Sequence, residues 1–270
     1  MSRTLAGKRA VLTGASSGIG RALAVELARN GMHLALVARS KEPLVELAHN
    51  LTTPDQKAIA IQADVTVPED RERLIRTATE QLGGIDLLIN NAGIASWGHF
   101  ANSDEAVMRQ VMEVNFFAPV ELIRLAIPYL TRGNESAIVN ISSMCGRRAM
   151  PAWPEYSASK FALCGISEAL RGEMARFDIE MILVVPGLTR TELREHMPRK
   201  EGKARIDFDK GMTPELVAAK IVRGIQRGQR ELVIGGDAKW MLRLHRWFPR
   251  LLDRLICRRV KKLYVSQTEN

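Results

Sequence analysis

The chain has 270 residues, a formal net charge of +9 and three cysteines, Cys145, Cys164 and Cys257. That length suits one large α/β domain or two small ones. With 46% hydrophobic and 26% charged residues, the composition excludes a disordered or collagen-like chain.

The first half alternates. "RAVLTG" is a short apolar run ending in glycine, and "GRALAVELARNG" is a helix stopped by Gly31. "MHLALVAR" is a second strand, followed by helical "KEPLVELAHNL", strand-like "KAIAIQADV", helical "PEDRERLIRTATEQLG" and strand-like "IDLLINNAG". The apolar strands are continuous and do not alternate with polar residues, which predicts a buried parallel sheet with helices on both faces. In the second half, "SDEAVMRQVMEVNFFAPVELIRLAIPYL" reads as one long helix with Asn102 or Ser103 as N-cap. "SAIVNISS" and "IEMILVVPG" read as strands around a helix that contains "EYSASK". "LTRTELREHMPRKEGKARIDFDKGM" is polar and irregular, and "TPELVAAKIVRGIQRG" is a helix opened by Thr213 with Pro214 at its first position. "RELVIGG" is a last short strand. The fold class expected is a doubly wound α/β sheet over residues 1–235, followed by a basic amphipathic helical extension over 236–270.

No apolar run approaches the ~20 residues that span a bilayer. The N-terminus enters a strand directly without a signal-peptide h-region. The cysteines show neither pairing nor metal spacing, nor do His33, His49, His99, His196 and His245. A reduced, cytoplasmic setting without a metal is the expectation.

"TGASSGIG" lies between the first strand and the first helix, with Gly14, Gly18 and Gly20 spaced G-x-x-x-G-x-G. Glycines allow a tight turn and close approach of a pyrophosphate, and the helix N-terminus offers free N–H groups. Where an acidic residue at the end of the second strand would hold a ribose 2′-hydroxyl, this chain has Ala38 and Arg39. An arginine there accommodates a 2′-phosphate, so the reading favours NADP(H) over NAD(H).

Four motifs occur together: "TGASSGIG", "NNAG" (Asn90 to Gly93), "YSASK" and Pro186-Gly187. In order and spacing the chain resembles the short-chain dehydrogenase/reductase family in its single-domain form, over about residues 7–235. The resemblance implies that Tyr156 is the catalytic acid/base and Lys160 its partner. Ser143, thirteen residues before the tyrosine, would be the serine, although Ser142 is adjacent. Asn115 would complete the tetrad through a water. Ser143 and Tyr156 would also contact substrate. Cofactor contacts are implied for Gly14, Ser16, Ser17, Gly18, Ile19 and Gly20 of the loop, and for Arg39 and Ser40 beyond the second strand. Asp64 and Val65 fall at the adenine, and Asn91, Ala92 and Gly93 along the cofactor. Pro186, Gly187, Thr189 and Thr191 fall near the nicotinamide carboxamide, and Lys160 near its ribose. Asp86 reads as structural and Cys145 as a packing residue.

The chemistry of these residue types agrees. Carbonyl reduction needs a proton at oxygen, which a tyrosine can give, and a lysine cation one helical turn away favours the phenolate and lowers the tyrosine pKa. A serine hydroxyl can hydrogen-bond the developing oxyanion. The expected reaction is a ketone/secondary alcohol interconversion. Leu188, Leu193 and Met197 after Pro186-Gly187, and the aromatic C-terminal segment, favour an apolar, steroid- or lipid-like substrate. A 3-oxoacyl-carrier-protein reductase and a non-catalytic NADPH-binding regulator are the alternatives. A homodimer or homotetramer is expected, and nucleic acid is not.

From Asp237 to Leu263 there are nine Lys or Arg against two Asp. Lys239, Arg243, Arg246, Arg250, Arg254 and Arg258 recur every three or four residues, as do Trp240, Leu244, Trp247, Leu251 and Leu255. On a helix these make opposed basic and apolar faces, with a break at Pro249. Packing on the chain's own core or a partner subunit is favoured. Peripheral membrane contact through 239–262 is the competing expectation.

Overall fold

A computed structural model describes residues 3–195, 197–201 and 210–265. His196, part of the irregular segment after Pro186 and the last five residues of the extension lie outside the described residues. Seven parallel strands form one sheet in the order β3-β2-β1-β4-β5-β6-β7. They are β1 (Arg9–Thr13), β2 (His33–Ala38), β3 (Ala58–Gln62), β4 (Leu87–Asn90), β5 (Ala137–Ile141), β6 (Glu180–Pro186) and β7 (Glu231–Ile234). The strand order reverses between β1 and β4, so the topological switch point falls at their carboxyl ends, at Thr13 and Asn90, where such sheets bind ligands.

Both faces of the sheet are covered, as the continuous apolar runs require. Leu12, Leu36, Leu87 and Val139 point to one side, with α1 (Gly18–Arg29), α2 (Lys41–Leu51) and, further along the sheet, α7 (Pro214–Gln226). Val11, Val37, Leu88 and Ile138 point to the other side, under α3 (Pro68–Leu82), α5 (Ala118–Leu130) and the end of α6 (Pro154–Met174). Alternate residues of each strand thus serve opposite layers.

The long helix expected after residue 102 begins later and is interrupted. Its N-cap is Asp104, whose carboxylate accepts from the Val107 N–H at 2.8 Å, and not Asn102 or Ser103. An aspartate caps as well as asparagine or serine, so composition could not rank them. After α4 (Glu105–Met112) the backbone widens to a π-turn over Glu113–Phe117 before α5. Pro119 has no N–H to give the carbonyl four residues back, which removes one regular helical bond beside Asn115. Thr213 does cap α7, accepting from Leu216 N–H at 3.2 Å with Pro214 at the first position. The last described residues form α8 (Gly236–Trp247) and α9 (Pro249–Val265), broken at Phe248 and Pro249.

At the opposite end of the sheet, Asp86 is buried. Its carboxylate accepts from the Arg9 N–H and both Nε and Nη2 of Arg9, and from the Asn134 N–H, all at 2.8 Å. Burial alone would raise this carboxyl, but Arg9 and the N–H donors outweigh it and hold it below the usual carboxylate range. Asp86→Asn leaves Arg9 unpaired and should cost about 3 kcal/mol in urea unfolding at neutral pH. A depressed carboxylate stabilises the fold above its unfolded pKa, roughly 3.9, so the deficit should shrink as pH falls below that value.

Candidate active site

The glycine loop leaves β1 at Thr13 and enters α1 at Gly18. Gly14 and Gly18 have φ of +65° and +50°, which β-carbons disfavour. A Cβ on Gly14 would lie 2.8 Å from Ala92 Cα, and one on Gly20 would lie 1.9 Å from the Gly14 carbonyl oxygen. Ser17 precedes the helix without capping it by its side chain, so first-turn N–H groups are available to an anion. Ser16, Ser17 and Ile19 are half-buried along this loop. Thr191 reaches over it, with its Cβ 3.2 Å from where a Gly18 side chain would begin.

The other expected cofactor residues line the same edge of the sheet. Arg39 and Ser40 are exposed at the end of β2, and Arg39 shares a cleft of about 490 Å³ with Asp64, Asp70 and Arg73. Asp64 holds a local turn through Oδ1, accepting from the N–H and Oγ1 of Thr66. Val65 is buried beside it. Asn91 has a structural use the motif does not reveal. Its Nδ2 donates to the carbonyls of Thr13 and Gly14 at 3.0 and 3.1 Å, while Thr13 Oγ1 accepts from the N–H groups of Asn91 and Ala92. The side chain therefore ties the β4 end to the glycine loop and leaves backbone and Gly93 to face the cleft. Gly187 donates to Ile234 O, Thr189 Oγ1 donates to Gly187 O, and Pro186 ends β6.

Tyr156 and Lys160 sit one turn apart on α6, both buried. Lys160 Nζ lies 5.9 Å from the centre of the Tyr156 ring and donates to Ile141 O at 3.0 Å. Ser142 and Ser143 follow β5 and point to opposite sides. Ser142 turns inward, donating to the Lys160 carbonyl at 3.2 Å beside Cys164 Sγ, whereas the hydroxyl of the half-buried Ser143 accepts from the Cys145 N–H at 3.1 Å and acts on the Tyr156 phenol. Asn115 is fully buried in the π-turn. Its amide exchanges two hydrogen bonds with the backbone of Ile94, at 2.9 and 2.8 Å, and donates to Ser159 Oγ at 2.9 Å. Ser159 Oγ in turn donates to the Tyr156 carbonyl at 2.8 Å. Asn115 Oδ1 and Lys160 Nζ flank the same point, 3.1 and 3.4 Å from the Cβ position of Gly93.

The expected lowering of the tyrosine is not what this environment produces. Burial pushes the Tyr156 phenol up, the neighbouring Cys145 adds to this, and the Ser143 hydrogen bond offsets it in part. Desolvation outweighs the effect of a cation one turn away. The same burial pushes Lys160 down to about 8 and Cys145 up to about 11. Cys145 thus stays a thiol and packs. Among the described residues, no group of three His, Cys, Asp or Glu could hold a metal.

The family model for short chain dehydrogenases matches residues 8–202. This chain belongs to the short-chain dehydrogenase family. A relative, 11-beta-hydroxysteroid dehydrogenase A of Sesamum indicum, is 37% identical over 242 residues, covering 85% of this chain and 68% of its own. A short-chain dehydrogenase/reductase of Burkholderia phymatum, solved with NAD, has the same fold, with a TM-score of 0.84 at 24% identity over 92% of this chain and 96% of that one. A short-chain dehydrogenase of Burkholderia cenocepacia, solved with NADP, gives a TM-score of 0.78 at 28% identity over 88% of this chain and all (100%) of that one.

This short-chain dehydrogenase adds residues that motif spacing did not reveal. Around Tyr156, Trp153 packs edge-to-face at 5.8 Å and stacks with Trp97 at 6.4 Å. Met150, Leu193 and Met197 complete that apolar wall, so two of the three side chains expected after Pro186-Gly187 reach it. The aromatic C-terminal segment does not, since Trp240 and Trp247 are exposed. Asp237, at the start of α8, accepts from the Leu188 N–H at 3.0 Å and closes on Gly187.

Beside Tyr156, Glu155 is wholly buried. It accepts from Ser96 Oγ at 2.8 Å and lies 3.7 Å from Arg199 Nη1. Burial would raise this carboxyl, but serine donors and the Arg199 charge outweigh it. Arg199 also donates to His99 O, and the backbone of Trp97 bonds to Arg199 and Glu201. This buried pair fastens the segment after β6 across the 94–103 loop, over the tyrosine. Glu155→Ala leaves Arg199 only Glu201 and the His99 carbonyl and strips the Ser96 hydroxyl of its acceptor, and should cost about 1–3 kcal/mol in chemical denaturation. Gly20→Ala, by contrast, should abolish nucleotide binding in a fluorescence titration, because the loop must open to admit the new Cβ.

Proposed function

We propose that this short-chain dehydrogenase is an NADP(H)-dependent oxidoreductase interconverting an apolar ketone and its secondary alcohol. The observation that carries the reading is the convergence of Ser143, Tyr156, Lys160 and Asn115 next to a glycine cradle at the strand-order reversal. The residues present fit a nicotinamide dinucleotide. The Gly14–Gly20 loop and first turn of α1 would hold the pyrophosphate, Asp64 and Val65 the adenine, and Arg39 a 2′-phosphate. Gly93, Lys160, Pro186, Gly187, Thr189 and Thr191 would line the nicotinamide half. When bound, the cofactor supplies or accepts the hydride.

The chain's own residues supply the rest. Tyr156 donates a proton to the carbonyl oxygen in reduction and accepts it in oxidation. Its raised pKa keeps the hydroxyl protonated at neutral pH, the form that donates in reduction, though as a weak acid; accepting a proton in oxidation needs the phenolate, so this environment favours the reductive direction. The Lys160 ammonium compensates by stabilising the phenolate that donation leaves. Ser143 gives a second hydrogen bond to the substrate oxygen. Asn115 positions α6 against the β4 end. Trp97, Trp153, Met150, Leu193 and Met197 favour an apolar substrate, and the hydroxysteroid dehydrogenase relative supports that class. We also propose a homodimer or homotetramer.

Tyr156→Phe should lower NADPH-dependent ketone reduction by roughly 10²–10⁴-fold while NADPH binding is retained; full turnover in this variant refutes the mechanism. The reduction rate should fall as pH rises through about 8, where Lys160 loses its charge. A profile flat from pH 6 to 10 would remove Lys160 from the chemistry. Arg39→Asp should weaken NADPH binding by at least tenfold, roughly 1.4 kcal/mol, and leave NADH nearly unchanged. If the unmodified enzyme already prefers NADH, the cofactor assignment fails.

A further inference from the structure

We propose that α8 and α9 form a docking face for an anionic lipid surface. Five of the eleven large apolar side chains exposed among the described residues fall here, within residues 240–255. They are Trp240, Trp247, Phe248, Leu251 and Leu255, and the two tryptophans are 62% and 72% exposed. The inward sides of these helices are already engaged. Ala238 and Leu252 are buried, and Leu242 packs on Leu183, Val185 and Val233. Trp240 and Trp247 are seven residues apart, hence on one face, and helical spacing puts that face opposite Ala238 and Leu242. The tryptophans therefore point away from the protein's own core, against the expectation that they pack on it.

Charge selects the occupant. Both acids of the segment are turned to internal work: Asp237 accepts from Leu188 N–H, and Asp253 pairs with Arg148 at 2.6 Å. Lys239, Arg243, Arg246, Arg250, Arg254 and Arg258 are exposed, and among the described residues no ion pair reaches them. A second copy docking through this face would set one basic surface against another. A lipid interface satisfies both features: indole and leucine side chains enter the acyl boundary, while arginines meet anionic headgroups. Among the described residues no helix is long and apolar enough to cross a membrane, so the helices would lie on the surface. The Arg148–Asp253 pair joins α9 to the segment that supplies Met150 and Trp153 of the apolar wall. The proposal rests on the surface alone and stands whether or not the substrate reading holds.

The test is sedimentation of the full chain with vesicles of phosphatidylcholine, with and without phosphatidylglycerol, at physiological ionic strength. The wild type should pellet with the anionic vesicles and much less with the neutral ones. Trp240→Ser with Trp247→Ser, and separately Arg243→Gln with Arg246→Gln and Arg250→Gln, should each reduce pelleting roughly tenfold or more. Thermal melts should be unchanged, because these side chains are exposed. Recovery of the wild type in the supernatant with both vesicle types would overturn the proposal. So would a tryptophan variant that still pellets while its oligomer dissociates in size exclusion, which would make the face an interface between copies.

Discussion

The site is organised around one ammonium group withdrawn from water. Lys160 is 4% exposed, and its head group donates to the Ile141 carbonyl at the end of β5. Removing that charge from solvent is costly, and the cost appears as a pKa near 8. The surrounding architecture makes the position tolerable and useful. The parallel sheet brings the ends of β4 and β5 side by side. Gly93 leaves the space that a side chain would take from Nζ. Helix α6 then sets the tyrosine one turn away, its ring above the same pocket. A lysine closer to water would keep its proton more firmly but would act on Tyr156 through a higher dielectric.

Asn115 performs the complementary task of fixing α6 relative to the sheet. A regular helix from Glu105 to Leu130 would turn its side chains in an unbroken 3.6-residue sequence. The π-turn inserts extra backbone at Asn115, and the amide reaches both Ile94 and Ser159. The chain Ile94–Asn115–Ser159–Tyr156 links the loop after β4, the bulged helix and α6 by hydrogen bonds between buried groups. Their low-dielectric surroundings make each bond strong and its loss expensive. The Glu155–Arg199 ion pair and the Ser96 hydrogen bond to Glu155 hold the apolar wall beside Tyr156, so the tyrosine is braced through its own carbonyl and through its preceding residue.

Much of this could be read in the sequence, because the signals were local. Continuous apolar runs gave the parallel sheet, and Gly14, Gly18 and Gly20 announced a tight turn before a helix. Thr213-Pro214 marked a helix start; the preference for Ser143 over Ser142 came from the family resemblance, and the Ser142 side chain faces Cys164. What escaped was non-local or decided by desolvation. Glu155 and Arg199 stand 44 residues apart with no periodicity joining them. Asn91 belongs to a cofactor motif, yet its amide is spent on the carbonyls of residues 78 and 77 positions earlier. Spacing put a cation beside Tyr156 but could not show that burial would dominate its pKa. Amphipathicity drew a basic and an apolar face on α8 and α9, but both are exposed, and the side that packs inward is a third one, through Ala238, Leu242 and Leu252.

The central claim is that Lys160 is a buried cation poised to lose its proton just above neutral pH. Carbon-13 NMR of the lysine Cε resonances, assigned by comparison with Lys160→Met, measures this directly. A Lys160 titration midpoint near 8 is the result expected. A midpoint at the ordinary lysine value, about 10.4, would show a solvated ammonium and contradict the account.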